Sequence, residues 1–479
     1  MKISEKFGIT ATQFELDFVD IDTDRDTPLF VDPFFMGTRT DTFSISASRT
    51  LRNFFQTLIH NIRTGQIDVA RRMFNFLHEP NETCLGLSSG APRGNAIGDV
   101  DGQKLFDSIV GSRAVETGLV EDIEDFKLFI DGIDKDKISD LTTNVIRVHL
   151  VRYTQNQCLL WGMPLQMNVQ TGFYWDSSVR QWQNSFERML VVDGRKILLT
   201  PKSIVSYSKK YTPQKYYKKF VLEYLQHEHI MTNSFLVQHR RDGAPFVTKK
   251  SLEESVAPYS KEYLVGFTES HPEVFRDFKG WVRETSRPLH NEELSEENAP
   301  SVAQFLIDRL AGIPSGGEAA TIYHRTVVGI LELLFYPNLV SPVIEQEIHN
   351  GRKRIDITFD NSAREGFFFN LHNVHQTPCQ YIFVECKNYS RDVANPEIDQ
   401  LSGRFSINRG KFGFLLFRQA ENMDALVARC RDTYVDHRGT MIPLCDVDLI
   451  DVLSSIAGGE ENTIEQLLSN KLRQIVLGV

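Results

Sequence analysis

The stretch Val343 to Asp360, VIEQEIHNGRKRIDITFD, and the later heptapeptide Tyr381 to Lys387, YIFVECK, decide how the C-terminal part of this chain folds. The first alternates apolar and polar residues on either side of Asn350-Gly351. That dipeptide tolerates the positive φ angles of a tight type I′ turn, so the stretch predicts a β-hairpin. In its second arm the period of two puts Arg354, Asp356 and Thr358 on one face and Ile355, Ile357 and Phe359 on the other. The heptapeptide reads as a further strand, with Tyr381, Phe383, Glu385 and Lys387 facing one way and Ile382, Val384 and Cys386 the other. A lone aspartate on a strand is ordinarily just solvated. Asp356 beside Glu385 and Lys387 carries more meaning. Two carboxylates can hold a hard divalent cation, and an ammonium can stabilise charge developing on a phosphate or position an attacking water.

Upstream of the hairpin, TIYHRTVVGILELLFYP predicts a helix from about Thr321 to Tyr336, stopped by Pro337. Glu332 falls inside its apolar run. A buried carboxylate without a partner is costly, so this one needs a metal, a cation or the solvent-facing side of the helix. Downstream, Asn395 reads as a helix N-cap and Pro396 as the first helical residue. The pattern PEIDQLSGRF then buries Ile398, Leu401 and Phe405 and leaves Glu397, Gln400 and Arg404 on the polar side. Gln400 and Arg404 can reach the carboxylates or a phosphate from there; a solvated helix face is the plain alternative. Phe412 to Arg418 and Met441 to Cys445 read as further strands, separated by a helix near Asp424 to Asp436.

Glu332 on a first helix, Asp356 on a strand, Glu385-Cys386-Lys387 about 30 residues later and Gln400 on the next helix together resemble the PD-(D/E)XK restriction-endonuclease-like superfamily. The segments VECKN, QLSGRFSINRGKFGFLLF and IPLCDVDLIDVL are most similar to its Mrr-type and prokaryotic defence branch. The resemblance covers Thr321 to Leu453. It implies a mixed central sheet flanked by helices, with Mg2+ (Mn2+ as a substitute) bound by Asp356 and Glu385. Lys387 orients or activates water, and Glu332, as a further metal-side carboxylate, and Gln400 support the site. Ile355 stands where the family often has a proline before the motif aspartate, a change that keeps the carboxylate. The implied activity is a metal-dependent endonuclease, on DNA ahead of RNA, serving restriction or anti-phage defence. The competing expectation is a restriction-endonuclease-like domain that holds nucleic acid or a partner without cutting.

At 479 residues the chain exceeds what one core usually supports, and its mixed helix and strand signals predict a mixed α/β protein. The expected division is an N-terminal region over residues 1–282, with a break near 150, a linker over 283–316 and a nuclease domain over 317–479. The linker reading rests on RETSRPLHNEELSEENAP (Arg283 to Pro300), whose charge, Pro and lack of an apolar period suggest an exposed linker or a polar helix, and on the loop GIPSGG (Gly312 to Gly317). The N-terminal region is expected to recognise a target, form a homo-oligomer, meet a defence-system partner protein or restrain cutting. Within it Asp41 to His78 reads as helical, Gly86 to Gly102 as a glycine loop, and Leu150 to Leu199 as mixed.

A net charge of -10 argues against a general polyanion binder, so any nucleic-acid surface has to be local. The one basic stretch places Lys202, Lys209, Lys210, Lys215, Lys218 and Lys219 among Tyr207, Tyr211, Tyr216, Tyr217 and Phe220, in an amphipathic helix or pair of helices over Lys202 to His229. Lys209, Lys210, Lys218 and Lys219 are the candidate nucleic-acid contacts, with the rings as stacking platforms; a solvated basic face over aromatic packing is the alternative. Six scattered cysteines without a CxxC pair read as reduced thiols. With no apolar signal core and no membrane-length apolar run, they predict a cytoplasmic protein without membrane contact. His372, His375, Cys379 and Cys386 are zinc-type residues, but Cys386 lies on the face opposite Glu385. Gly86-Leu87-Ser88-Ser89-Gly90 has GxSxG spacing without the strand a nucleophile elbow needs.

Overall fold

The computed structural model describes residues 1–87, 99–348, 353–389, 391–460 and 463–478. The Asn350-Gly351 turn lies outside the described residues, as do Ser88 to Gly98 of the glycine-rich stretch. The end of that stretch opens a helix, Asp99–Val110, rather than closing a loop.

The N-terminal part is mainly helical. Helix α1 (Thr42–Arg63) starts at Asp41, whose side chain accepts from the Ser44 N–H at 2.8 Å. Its apolar stripe, Leu51, Phe54, Phe55 and Leu58, enters a core shared with Phe126, Tyr216, Tyr217, Phe275 and Phe278. Helix α2 (Arg147–Trp161) ends at Gly162, which takes the left-handed conformation at φ 75°. Short antiparallel strands follow between Gln166 and Ile197. The basic stretch departs from its reading. Lys202–Ile204 form a single buried 3-10 turn, and the helix begins only at Pro213, passing through a π-helical turn (Tyr217–Val221) before ending at Met231.

Helix α3 (Ala299–Gly312) precedes α4 (Ala320–Phe335), after which comes the sheet. Its strands are β1 (Leu339–Ile348), β2 (Lys353–Asn361) and β3 (Tyr381–Lys387), then helix α5 (Asn395–Ser402), β4 (Phe412–Phe417), helix α6 (Met423–Val435) and β5 (Thr440–Cys445). Helices α7 (Asp446–Ala457) and α8 (Thr463–Leu477) follow. The five strands stand in the order β1-β2-β3-β4-β5, antiparallel across the first two junctions and parallel across the last two. Every residue of β4 and β5 is buried, as a parallel pair covered on both faces requires. This is a mixed α/β architecture with a helix-flanked mixed sheet, in agreement with the sequence.

Two boundaries differ from the sequence reading. The stretch 283–316 holds α3, whose Val302, Ala303, Leu306 and Leu310 are buried in the C-terminal core. The charged residues around it masked a short amphipathic period. Further, Phe14, Leu16 and Phe18 belong to the same core as Phe414, Leu416 and Ile442 of the sheet, whereas most residues from Val31 to Val282 build the other core. The first thirty or so residues thus complete the C-terminal core instead of the N-terminal one. No helix among the described residues is long and apolar enough to cross a membrane, and all six cysteines are free and buried.

Candidate active site

The antiparallel pairing of β2 with β3 runs from Asp360 opposite Tyr381 to Ile357 opposite Val384. Continued by one residue it sets Asp356 next to Glu385. Asp356 is half-buried, and its Oδ2 accepts from the Cys386 backbone N–H at 3.0 Å, which fixes the carboxylate against β3. Glu385 is fully buried. The Lys387 ammonium donates to its Oε1 at 2.5 Å and, at 3.2 Å, to Oε1 of Gln400 on α5. The Arg404 guanidinium forms an ion pair with Glu385 Oε2. Burial lowers the pKa of Arg404, and the charge of Asp356 works against that. The structure therefore gathers Asp356, Glu385, Lys387, Gln400 and Arg404 from two strands, a helix and the turn after it.

Two details of α5 differ from the sequence reading. Ala394, not Asn395, is the N-cap, and its N–H is taken by Glu397 Oε2 at 3.0 Å. Because Glu397 also accepts from the Tyr389 hydroxyl at 2.5 Å, it is buried in the loop junction rather than solvated. The helix also stops at Ser402, so Arg404 reaches Glu385 from the following turn and not from the helix face.

Glu332 does not join this group. It packs against the N-terminal part, where Lys202 Nζ lies 3.2 Å from its Oε2 with both side chains fully buried. The same ammonium sits 4.1 Å from the centre of the Tyr336 ring. Burial pushes the Glu332 carboxyl up to about 8, with Lys202 pulling the other way. Nearby, Asp17 accepts from the Tyr153 hydroxyl at 2.6 Å and the Ser341 N–H at 3.0 Å. What α4 does send toward Asp356 is His324, eight residues earlier and about 12 Å back along the helix axis. Burial lowers the pKa of His324, while Asp356 and the Cys386 backbone raise it. Sequence reasoning missed His324. Its one signal was a polar side chain among the apolar residues of TIYHRTVV, the same signal that drew attention to Glu332.

The oxygen-only donor pair of Asp356 and Glu385 suits a hard cation. Among the described residues no three His, Cys, Asp or Glu side chains approach closely enough to hold a metal together. Mg2+ commonly takes only one or two protein carboxylates and completes its shell with water and substrate phosphate, so the pair fits that habit. Glu385 Oε2 is occupied by the Arg404 guanidinium and Oε1 by the Lys387 ammonium. A bound cation there would replace part of the neutralisation that Arg404 now provides. Zinc is a poorer fit: Cys379 Sγ is 3.8 Å from His372 Nδ1, and Cys386 is buried on the other face.

The basic stretch is divided: Lys202 and three of its rings are buried, while Tyr207 and Phe220 stay half-buried. Lys209, Lys218 and Lys219 are exposed, while Tyr211, Tyr216 and Tyr217 are core residues. Lys219 lies 3.9 Å from the Trp281 ring centre and Lys209 4.8 Å from that of Tyr207. Lys210 donates to the Thr285 carbonyl.

A sequence family described as a domain of unknown function (DUF8370) matches residues 8–212. That span includes Asp17 and Lys202 and stops short of every residue of the carboxylate site. No curated protein matches the chain, and no solved structure does.

Proposed function

We propose that the chain is a metal-dependent endonuclease that hydrolyses phosphodiester bonds of nucleic acid, DNA ahead of RNA. The observation that carries this reading is the meeting of Asp356, Glu385, Lys387 and Gln400 at one point of a helix-flanked mixed sheet. Asp356 and Glu385 would hold Mg2+ or Mn2+, which when bound polarises a phosphate oxygen and acidifies a water. Lys387 keeps a positive charge beside that position, oriented by Gln400, where it can stabilise the charge that develops on the phosphate. With Glu385 committed to a metal, Arg404 would be free to meet a phosphate oxygen. Service as a restriction or defence effector in the cytoplasm, with a second copy or a partner protein, rests on the resemblance of the C-terminal sequence.

The test is cleavage of supercoiled plasmid, linear duplex, single-stranded DNA and RNA with Mg2+ or Mn2+, comparing wild type with Lys387→Ala. Metal-dependent cutting should fall by about 10²–10³-fold in the variant, the usual cost of removing one charge-stabilising group. A second reading, a module that binds nucleic acid without cutting, is favoured by the engagement of both Glu385 oxygens by Lys387 and Arg404. Retained DNA binding without cutting of any substrate would select it.

Within either reading, Lys209, Lys210, Lys218 and Lys219 supply phosphate contacts outside the site. Replacing all four by alanine should weaken binding across sequences and flatten its salt dependence. Unchanged affinity from low to high salt removes these lysines from the interface.

A further inference from the structure

At the other end of β2 and β3, the N-terminal helices and the sheet enclose a cavity of about 280 Å³. The Asp360 and Tyr381 pair that borders it lies four residues along β2 from Asp356, about 13 Å away. Helices α1 and α2 contribute Phe43, His149, Arg152, Tyr153 and Gln157, and the bulge near the start of β1 contributes Ser341.

Several of these groups lack the partners their chemistry calls for. Gln157 is 1% exposed, yet its Oε1 accepts no hydrogen bond, and the Ser341 Oγ is likewise buried without a partner. Buried amide oxygens are nearly always paired, so an unpaired one on a cavity wall marks a position where a donor from outside belongs. Arg152 is exposed at the rim, with no carboxylate partner among the described residues. His149 engages Thr50 Oγ1 through Nε2 at 2.9 Å, and burial and Arg152 push its pKa down to about 4, so it adds no charge at neutral pH. Phe43 and Tyr153 stand edge to face, 5.7 Å between ring centres, and form an apolar wall.

We propose that this cavity binds a nucleoside monophosphate. Its phosphate meets Arg152, an amino or hydroxyl group donates to Gln157 Oε1 and Ser341, and its ring lies against Phe43 and Tyr153. One anionic end, one donor edge and one flat apolar body are what these walls ask for together, and a mononucleotide carries all three. The inference is independent of the nuclease reading, since none of these residues belongs to the carboxylate site.

The experiment is thermal unfolding of the full chain, without divalent metal, with AMP, CMP, adenosine or inorganic phosphate. The variants are Arg152→Ala, at an exposed position, and Gln157→Leu, which replaces an unpaired acceptor by an apolar group of similar shape and should leave the unliganded protein at least as stable. AMP or CMP should raise the Tm of wild type by at least about 2 °C at saturation, with adenosine and phosphate far weaker and both variants unresponsive. The assignment is overturned if neither nucleotide shifts the Tm, if phosphate alone reproduces the whole shift, or if both variants keep it.

Discussion

Asp356→Asn protein should fold and melt like wild type while cutting nucleic acid about 10³-fold more slowly, because the change removes a charge and almost nothing else. Asp356 is half-buried and uses Oδ2 to accept from the Cys386 N–H at 3.0 Å, a bond that an asparagine oxygen can also accept. The equivalent change at Glu385 is a poorer probe. Its carboxylate lies between the Lys387 ammonium and the buried Arg404 guanidinium, and removing it leaves two cations without their counter-charge. That loss typically costs about 3–5 kcal/mol in stability and confounds any activity measurement. Cleavage rates at saturating Mg2+ together with melting curves check the expectation. An Asp356→Asn protein that cuts at the wild-type rate removes Asp356 from the chemistry.

Lys202→Met should give a stability loss that depends on pH. In the folded protein Glu332 holds its proton up to about 8, against about 4.5 for an ordinary glutamate. Folding is therefore linked to proton binding. As far as this group is concerned, stability is full below about pH 4.5 and is lost progressively as pH rises through about 8. Lys202 opposes that loss by favouring the carboxylate, so methionine in its place raises the Glu332 pKa further and extends the decline to higher pH. At pH 9 the variant should be less stable than wild type by about 1 kcal/mol, because its carboxyl stays protonated across the one pH unit above 8 in which the wild-type group has already ionised. At pH 6 Glu332 is protonated, and the deficit should shrink to the packing change over Tyr336. Urea unfolding at the two values decides it. An equal deficit at both means that Lys202 contributes contact rather than charge.

The strands were legible in the sequence because both rules that fix them are local. Alternation sets which side chains share a face, and YIFVECK forms β3 with the boundaries its pattern predicts. The same rule brought Asp356, Glu385 and Lys387 together. Arg404 was harder to place, since its contact depends on the helix ending at Ser402, a boundary that a continuous helical period conceals. Glu332 was beyond reach for a different reason. Its need for a cation could be read from the apolar run around it, but the cation is Lys202, 130 positions earlier and itself hidden in a stretch that looked like a basic surface. The tyrosines of that stretch misled in the same way. Composition records that Tyr211, Tyr216 and Tyr217 sit among lysines, and only the tertiary fold decides that the rings turn inward.

The placement of Phe14, Leu16 and Phe18 among the sheet residues has a consequence for how the protein is made. Phe14 leaves the ribosome 400 residues before Phe414, an interval of roughly 20–80 s at ordinary synthesis rates. Through that time the apolar side chains of the first segment can meet Tyr153, Leu160 and Leu199 but lack the sheet residues of their core, while the helical core from Val31 to Val282 can already close. The carboxylate site needs β2, β3 and α5 set against a finished sheet, so it assembles only late in translation. A nascent chain arrested before β4 would present its helical half folded and its carboxylate site unassembled.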